Sequence, residues 1–290
     1  MQNRNYTALK ALNLNNQMII DFIMITEEVM KNIFKPSSLK WRTSITKVEP
    51  NRLTTRGYLQ EDLMGNISFS EMVYLLIKGN IPSKNEAKMM EAVLVSFCDH
   101  GITPPSTQSA RLMASAGSPM HACMAGGLLA FGKNHAGAIE NSMNVLQKGI
   151  KVFDYHENID DIAENLIKDF MEKKEKVPGF GHRYHNQDPR AINLMKLARE
   201  NGCLKSHSKL VLAMENLLFE YKGIKMNIDG ANAGILSDLG FDWRLGSGLF
   251  MIGRLPGIMA HVHEEISRES PFRKLFEMEE IYYDGKEAEF

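Results

Sequence analysis

Cysteine is scarce in this sequence. Its 290 residues include three, Cys98, Cys123 and Cys203, far apart and without a CxxC pair, which excludes a disulfide framework and a cysteine-rich zinc site. An excess of one charge is also missing. Lys and Arg number 34 against 35 Asp and Glu, a net charge of −1, so the electrostatic footprint of a nucleic-acid surface is absent. Long hydrophobic runs are lacking too: the stretch Met18 to Ile25 is interrupted by Asp21 and falls well short of the ~20 residues of a membrane span. It is followed by no small-residue cleavage pattern, so neither a span nor a signal peptide is expected. These absences point to a reduced, cytoplasmic protein with no nucleic-acid or membrane partner.

The composition that remains, 44% apolar and 24% charged, is that of an ordinary globular protein. The length sets one large domain or two modest ones. Residues 1–40 begin polar and Asn-rich and read as an N-terminal arm. Thr43 to Val48 and Leu53 to Leu59 suit short extended pieces around Pro50, with a turn at Arg56-Gly57-Tyr58. Beyond Gly65 the pattern is helical. Ser68-Phe69-Ser70-Glu71 and Ser83 to Glu86 are capping boxes that open two helices of an αα-hairpin. Ser106 to Phe131 mixes Ala, Ser, Gly and Met with apolar residues, a composition that lets helices approach closely in a buried centre. Amphipathic helices are predicted over Asn158 to Lys173, from Asp188-Pro189 to about Gly202, and over Ser208 to Lys222. Between the first two lies Val177-Pro178-Gly179-Phe180-Gly181-His182, a loop that no helix can cross. A last helical block covers Gly246 to Arg268, before an acidic tail. The fold class is mainly α.

Several chemical signals are weak. Cys98-Asp99-His100 has the residue types of a thiol centre, but side chains at i and i+2 of a helix do not face each other. Gly179-Phe180-Gly181 lacks the third glycine and the strand of a dinucleotide fingerprint, and no GxxxxGK[ST] loop is present. His261, His263, Glu264 and Glu265 read as a solvated helix end rather than a metal centre, and no metal is expected. Three polar spots stand out instead. His135 lies among small residues in Asn134-His135-Ala136-Gly137. His182 sits on a tight loop leading to Arg190 at a helix start. Asp229, in Asn227-Ile228-Asp229-Gly230, precedes a Gly/Ala-rich segment. Singly these suit a core histidine, a surface loop residue and a helix cap; together they form the inventory of acid–base carbon chemistry beside a carbonyl.

In this order the spots resemble the citrate synthase family over about Trp41 to Arg273. The resemblance includes Arg56-Gly57-Tyr58, Phe69 with Glu71 and Tyr74-Leu75-Leu76, and Asp99-His100. It continues through His135-Ala136-Gly137-Ala138-Ile139-Glu140, Gly181-His182-Arg183 with Asp188-Pro189-Arg190, Asn227-Ile228-Asp229, and Gly253-Arg254. Gly101, Ala136 and Ile139 depart from the family's pattern of Glu, Gly and Asn. Trp41 to Thr46 and Asp99 to Ser106 are similar to the family's citryl-CoA lyase branch, including the C-terminal module of ATP-citrate lyase.

The resemblance implies a two-domain helical fold, with a large domain from residues 41–135 plus 233–290 and a small domain from 136–232. It implies cleavage of citryl-CoA to acetyl-CoA and oxaloacetate through an enol or enolate. Alternatives are condensation of acyl-CoA with oxaloacetate, as in a citrate or 2-methylcitrate synthase, and a catalytically silent CoA-binding subunit. By resemblance His135, His182 and Asp229 are catalytic, and His100, Arg190, Arg254 and Arg273 bind substrate carboxylates. Arg273 would come from the partner of a homodimer with shared sites. Val177, Gly179, Phe180, Gly181, Arg183 and Lys225 would bind coenzyme A, which enters as a thioester substrate and not as a resident cofactor.

Overall fold

The computed structural model describes residues 42–152, 158–181 and 187–286. The expected arm of residues 1–40, His182 and Arg183 lie outside the described residues.

Two compact units are distinguished, divided after Gly57. In the first, β1 (Thr46–Glu49) pairs antiparallel with β2 (Arg52–Thr55) in the register Thr46 to Thr55. The turn is tight because Asn51 adopts φ 57°, a left-handed conformation that asparagine tolerates better than most residues. Arg56 closes the hairpin by donating its N–H to the Ile45 carbonyl at 2.7 Å.

The second unit is helical. After α1 (Gln60–Leu63), α2 (Phe69–Lys78) and α3 (Lys84–Phe97) open on the two expected capping boxes. Ser68 and Glu71 exchange hydrogen bonds of 2.7 and 3.3 Å, and Ser83 and Glu86 exchange bonds of 2.9 and 3.3 Å. Each box satisfies orphan N–H groups at a helix start. The apolar face of α3 (Met89, Met90, Val93, Leu94, Phe97) is buried, each such side chain contributing ~1.5–3 kcal/mol relative to exposure.

The small-residue stretch forms two helices, α4 (Pro105–Ser115) and α5 (Met120–Leu129), separated at Gly117 to Pro119. Only part of it is a buried centre. Ser106, Thr107, Ala110 and Cys123 are buried, whereas Leu129 is 84% exposed and Leu112 45% exposed.

Next come α6 (Gly137–Val152), α7 (Ile159–Glu172), α8 (Pro189–Glu200), α9 (Ser206–Lys222), α10 (Ile228–Asp238) and α11 (Gly246–Arg268). Helix α10 packs against α6, α8 and α9 and buries ten of its eleven residues, as expected of a helix without a polar face. Its small residues make this possible: a β-carbon on Gly234 would stand 3.0 Å from Val211 and 3.1 Å from the Ser208 backbone. At its C-terminal end, buried Asp238 accepts from the backbone N–H groups of Lys205, His207 and Ser208 at 2.8, 2.9 and 3.0 Å and so ties α10 to the start of α9.

The Glu264–Glu265 region is not a solvated helix end throughout. Glu265 is buried and accepts from Arg111 at 2.6 Å. Arg273 lies 2.8 Å from the other Glu265 oxygen and 2.8 Å from Glu269. No metal-binding cluster occurs among the described residues, and no described helix is long and apolar enough to cross a membrane.

Candidate active site

The first polar spot is a loop closed on itself. Gly132 and His135 exchange backbone hydrogen bonds of 2.9 Å in each direction, which turns the chain into α6 immediately after His135. The imidazole stacks on Phe131 at 4.8 Å between ring centroids. Its Nε2 shares a 2.8 Å hydrogen bond with Ser106 Oγ, a fully buried hydroxyl in the first turn of α4. Burial, reinforced by the positive charges of Arg254 and His100, pushes the His135 pKa down to about 4. At neutral pH the ring is therefore uncharged.

The second and third spots are knitted together. Gly181 N–H donates to the Lys225 carbonyl at 2.8 Å, and Asn227 N–H donates to the Gly179 carbonyl at 3.0 Å. Asn227 Nδ2 donates to the Gly181 carbonyl at 2.7 Å. Asn227 Oδ1 accepts from the N–H groups of Asp229 and Gly230 at 3.0 and 3.3 Å, so the cap of α10 is Asn227 and not Asp229. The loop can press against α10 only because glycines meet there. Gly179 has φ +86°, and a β-carbon on it would lie 2.7 Å from the Gly230 Cα. Gly179→Ala is accordingly expected to cost about 1–3 kcal/mol from backbone strain alone, with the clash adding to it. Urea unfolding checks this, and a midpoint equal to that of the unsubstituted chain would contradict the packing described.

Asp229 stands in the first turn of α10, where the helix dipole favours an anion. Burial wins nonetheless. Its Oδ1 is sealed from solvent without a hydrogen-bond partner. Burial, partly offset by Arg190 and Arg254 and reinforced by Asp188, raises its pKa to about 6. Of Asp229 and His135, the carboxyl, ordinarily the stronger acid, thus becomes the weaker one, and the two groups have exchanged order.

Two guanidinium groups complete the site. Arg190 is gripped by Asp188, whose Oδ1 accepts from Nε at 3.0 Å and whose Oδ2 accepts from Nη2 at 2.9 Å. The same carboxylate accepts from the backbone N–H groups of Arg190 and Ile228 at 3.0 and 3.2 Å. Arg254, 4% exposed, donates Nε to the Phe97 carbonyl at 2.6 Å and lies 4.9 Å over the Phe250 ring. Burial draws its pKa below the ordinary guanidinium value.

His100, His135, Arg190, Asp229 and Arg254 line one cavity of about 320 Å³, together with Gly181, Lys133 and Asn134. A second hollow of about 430 Å³, also bounded by Gly181, is lined by Lys176, Val177, Phe180, Lys222 and Ile224. Three expected residues stand elsewhere: Gly179, pressed against Gly230, lines neither hollow, and neither do Arg273 and Lys225. Arg273 is held by Glu265 and Glu269 of its own chain and is not in the lining of the cavity. The Lys225 ammonium sits 3.8 Å over the Phe219 ring. Asp99, beside His100, pairs with His261 at 3.0 Å. Sequence reasoning missed Ser106, Lys133 and Asn134, and it took Asp188 for a helix cap alone. Only Asp188 left a usable signal, since its spacing to Arg190 permits a fork.

The chain is similar to known proteins in both sequence and fold. The family model described as the C-terminal domain of citrate synthase matches residues 82–275. The citrate synthase of Heyndrickxia coagulans is 30% identical over 214 residues, covering 72% of this chain and 55% of that protein. The chain therefore spans about half the length of this curated relative. The structure of citryl-CoA lyase from Hydrogenobacter thermophilus superposes with a TM-score of 0.80 at 41% identity, covering 87% of this chain and 97% of that one. ATP citrate lyase from Methanothrix soehngenii, solved in complex with citrate and coenzyme A, shares the fold at 22% identity and a TM-score of 0.75, covering 90% of this chain and 44% of that one. By sequence, by fold and by the helical frame that brings His135 and Asp229 to one cavity, the chain belongs to the citrate synthase family.

Proposed function

We propose that the protein cleaves citryl-CoA to acetyl-CoA and oxaloacetate. The observation that carries this reading is the shared cavity, in which a neutral imidazole and a carboxyl with a raised pKa face two guanidinium groups. The likeness to citryl-CoA lyase along nearly the whole of that protein supports it.

The bond to be broken joins the carbinol carbon of the citryl group to the methylene beside the thioester. Its electrons pass into the thioester as an enolate, whose oxygen needs a donor. Neutral His135 supplies one in the tautomer that carries its proton on Nδ1, with Nε2 accepting from Ser106 Oγ–H. Such a preorganised donor is worth ~2.7–4 kcal/mol in the transition state. Asp229, protonated up to about pH 6, delivers the proton that turns the methylene into the methyl group of acetyl-CoA. By resemblance His182 takes the hydroxyl proton as the oxaloacetate carbonyl forms. Arg190 and Arg254, with His100, hold the two free carboxylates, since planar guanidinium groups match carboxylates and stay charged when buried.

Coenzyme A would extend into the hollow beside Gly181, where Val177 and Phe180 offer apolar surface and Lys176 and Lys222 offer cations for phosphate. Arg183 and Lys225 are further contacts in this reading. Division into the lobes 41–135 with 233–290 and 136–232, closing over the cavity, would exclude water during the reaction. A homodimer in which Arg273 serves the partner's site, in a cytoplasmic setting, completes the proposal; it requires Arg273 to exchange Glu265 for a substrate carboxylate.

The relatives named citrate synthase favour a second reading, condensation followed by thioester hydrolysis. Incubating the purified protein with citryl-CoA and separating the products decides between them. The proposal expects acetyl-CoA and oxaloacetate in equal amounts. Citrate and free CoA as the products would overturn it in favour of the synthase.

A further inference from the structure

Cleavage yields acetyl-CoA only if water does not reach the thioester first. We propose that, alongside closure of the cavity, the β-carbon of Ala136 keeps out the water of an adjoining recess, making Ala136 a specificity-determining residue; this rests on the function proposed above.

Ala136 holds φ +65°, a conformation that is free for glycine and strained for a residue with a β-carbon. The loop leaves it no way to relax. Gly132 and His135 are doubly hydrogen-bonded, Gly132 bridges Ala136 as well, and a β-carbon on the next residue, Gly137, would stand 3.1 Å from the Gly132 carbonyl. The side chain is thus held in one place by the loop.

Its location shows what the strain maintains. Ala136 lines the catalytic cavity and also an adjoining recess of about 390 Å³. Between the apolar Phe131 and Met251 the recess carries polar groups that can hold water: Asn141, Ser247 and Glu140, whose Oε2 accepts from Ser247 Oγ at 2.7 Å. The two hollows share Lys133, His135, Ala136 and Gly137 as a wall. Lys133 is exposed, Gly137 has no side chain, and His135 is committed to Ser106. Of the four shared residues Ala136, next in sequence to the imidazole proposed to hold the thioester oxygen, is therefore the one that adds a purely apolar side chain to the wall. Without it, water from the recess can attack the thioester carbonyl carbon. The C–S bond breaks, CoA departs as the thiol carrying one proton, the other proton passes to solvent, and citrate is formed.

The test uses the full chain and citryl-CoA in ¹⁸O-water, with a protein-free blank subtracted, and reads the ratio of labelled citrate to acetyl-CoA. Ala136→Gly is expected to raise that ratio by about tenfold or more, while Ala136→Ser, which retains the β-carbon, leaves it at the unsubstituted value. An unchanged ratio in Ala136→Gly, or an equal leak in Ala136→Ser, overturns the inference and leaves the proposed function intact. Citrate without acetyl-CoA from the unsubstituted chain overturns the proposed function, and this inference with it.

Discussion

Asp229→Asn is expected to make the protein more stable and nearly inactive. Moving a carboxyl from its ordinary pKa of 3.8 to about 6 on folding means that the native state resists its ionisation, a cost of up to ~3 kcal/mol at neutral pH. The sign is fixed by linkage. Between the two values the folded chain binds more protons than the unfolded one, so stability falls as pH rises from about 4 to about 6 and stays low above. Asparagine has no charge to bury. The variant should therefore gain ~1–3 kcal/mol at pH 8, and this advantage should vanish below about pH 4. Urea unfolding at several pH values measures the difference directly. Turnover of citryl-CoA should fall ~10²–10⁴-fold, the range for loss of a general acid. A variant that is less stable at pH 8 would show that Asp229 is a structural anion.

Asp188→Asn should do the reverse and destabilise. The Asp188 carboxylate has no exposure and receives four hydrogen bonds, two from the Arg190 side chain and two from backbone N–H groups. Burial alone would raise its pKa, but the hydrogen bonds and charge of Arg190, aided by the Ile228 N–H, outweigh it and hold the carboxyl below the usual range. The stabilisation is present above the ordinary carboxylate pKa and lost as pH falls through the depressed value. Replacing the acid leaves Arg190 without its counter-charge. Because Arg190 retains 29% exposure, the loss is on the order of 2–4 kcal/mol rather than that of a fully buried pair. The freed guanidinium should also aim less well at substrate, so KM for citryl-CoA rises more than kcat falls. A KM equal to that of the unsubstituted chain would remove Asp188 from the account of substrate binding.

What could be read from the sequence was local. Ser68 with Glu71, Ser83 with Glu86, and Asp188 with Pro189 mark helix starts because cap and partner lie within a few residues of each other. The last helix, from Gly246 to Arg268, has the expected ends. Helix α10 escaped because a helix buried on every side has no amphipathic stripe to betray it; its Ala and Gly residues read only as a Gly/Ala-rich segment after Asp229. Helix α6, by contrast, carries an apolar face (Ile139, Met143, Leu146) that could have been found.

At the site, residue types were legible and environments were not. His135 and Asp229 were identified through the order of motifs, but the inversion of their acidities depends on burial, aided by Arg254 and His100 at the imidazole and by Asp188 at the carboxyl, groups that arrive from other parts of the chain. Ser106 lies 29 residues before His135, and no spacing rule links them. Glu265 looked solvated because nothing nearby in sequence shows that Arg111 reaches it across the fold.

The central claim is that Asp229 gives its proton to the carbon released when citryl-CoA breaks. Running the reaction in D₂O and weighing the acetyl-CoA formed tests this most directly. The account predicts one deuterium in the methyl group of the product from the unsubstituted protein, with almost no product from Asp229→Asn in the same time. Equally fast formation of singly deuterated acetyl-CoA by Asp229→Asn would contradict it, because some other group would then be the proton donor.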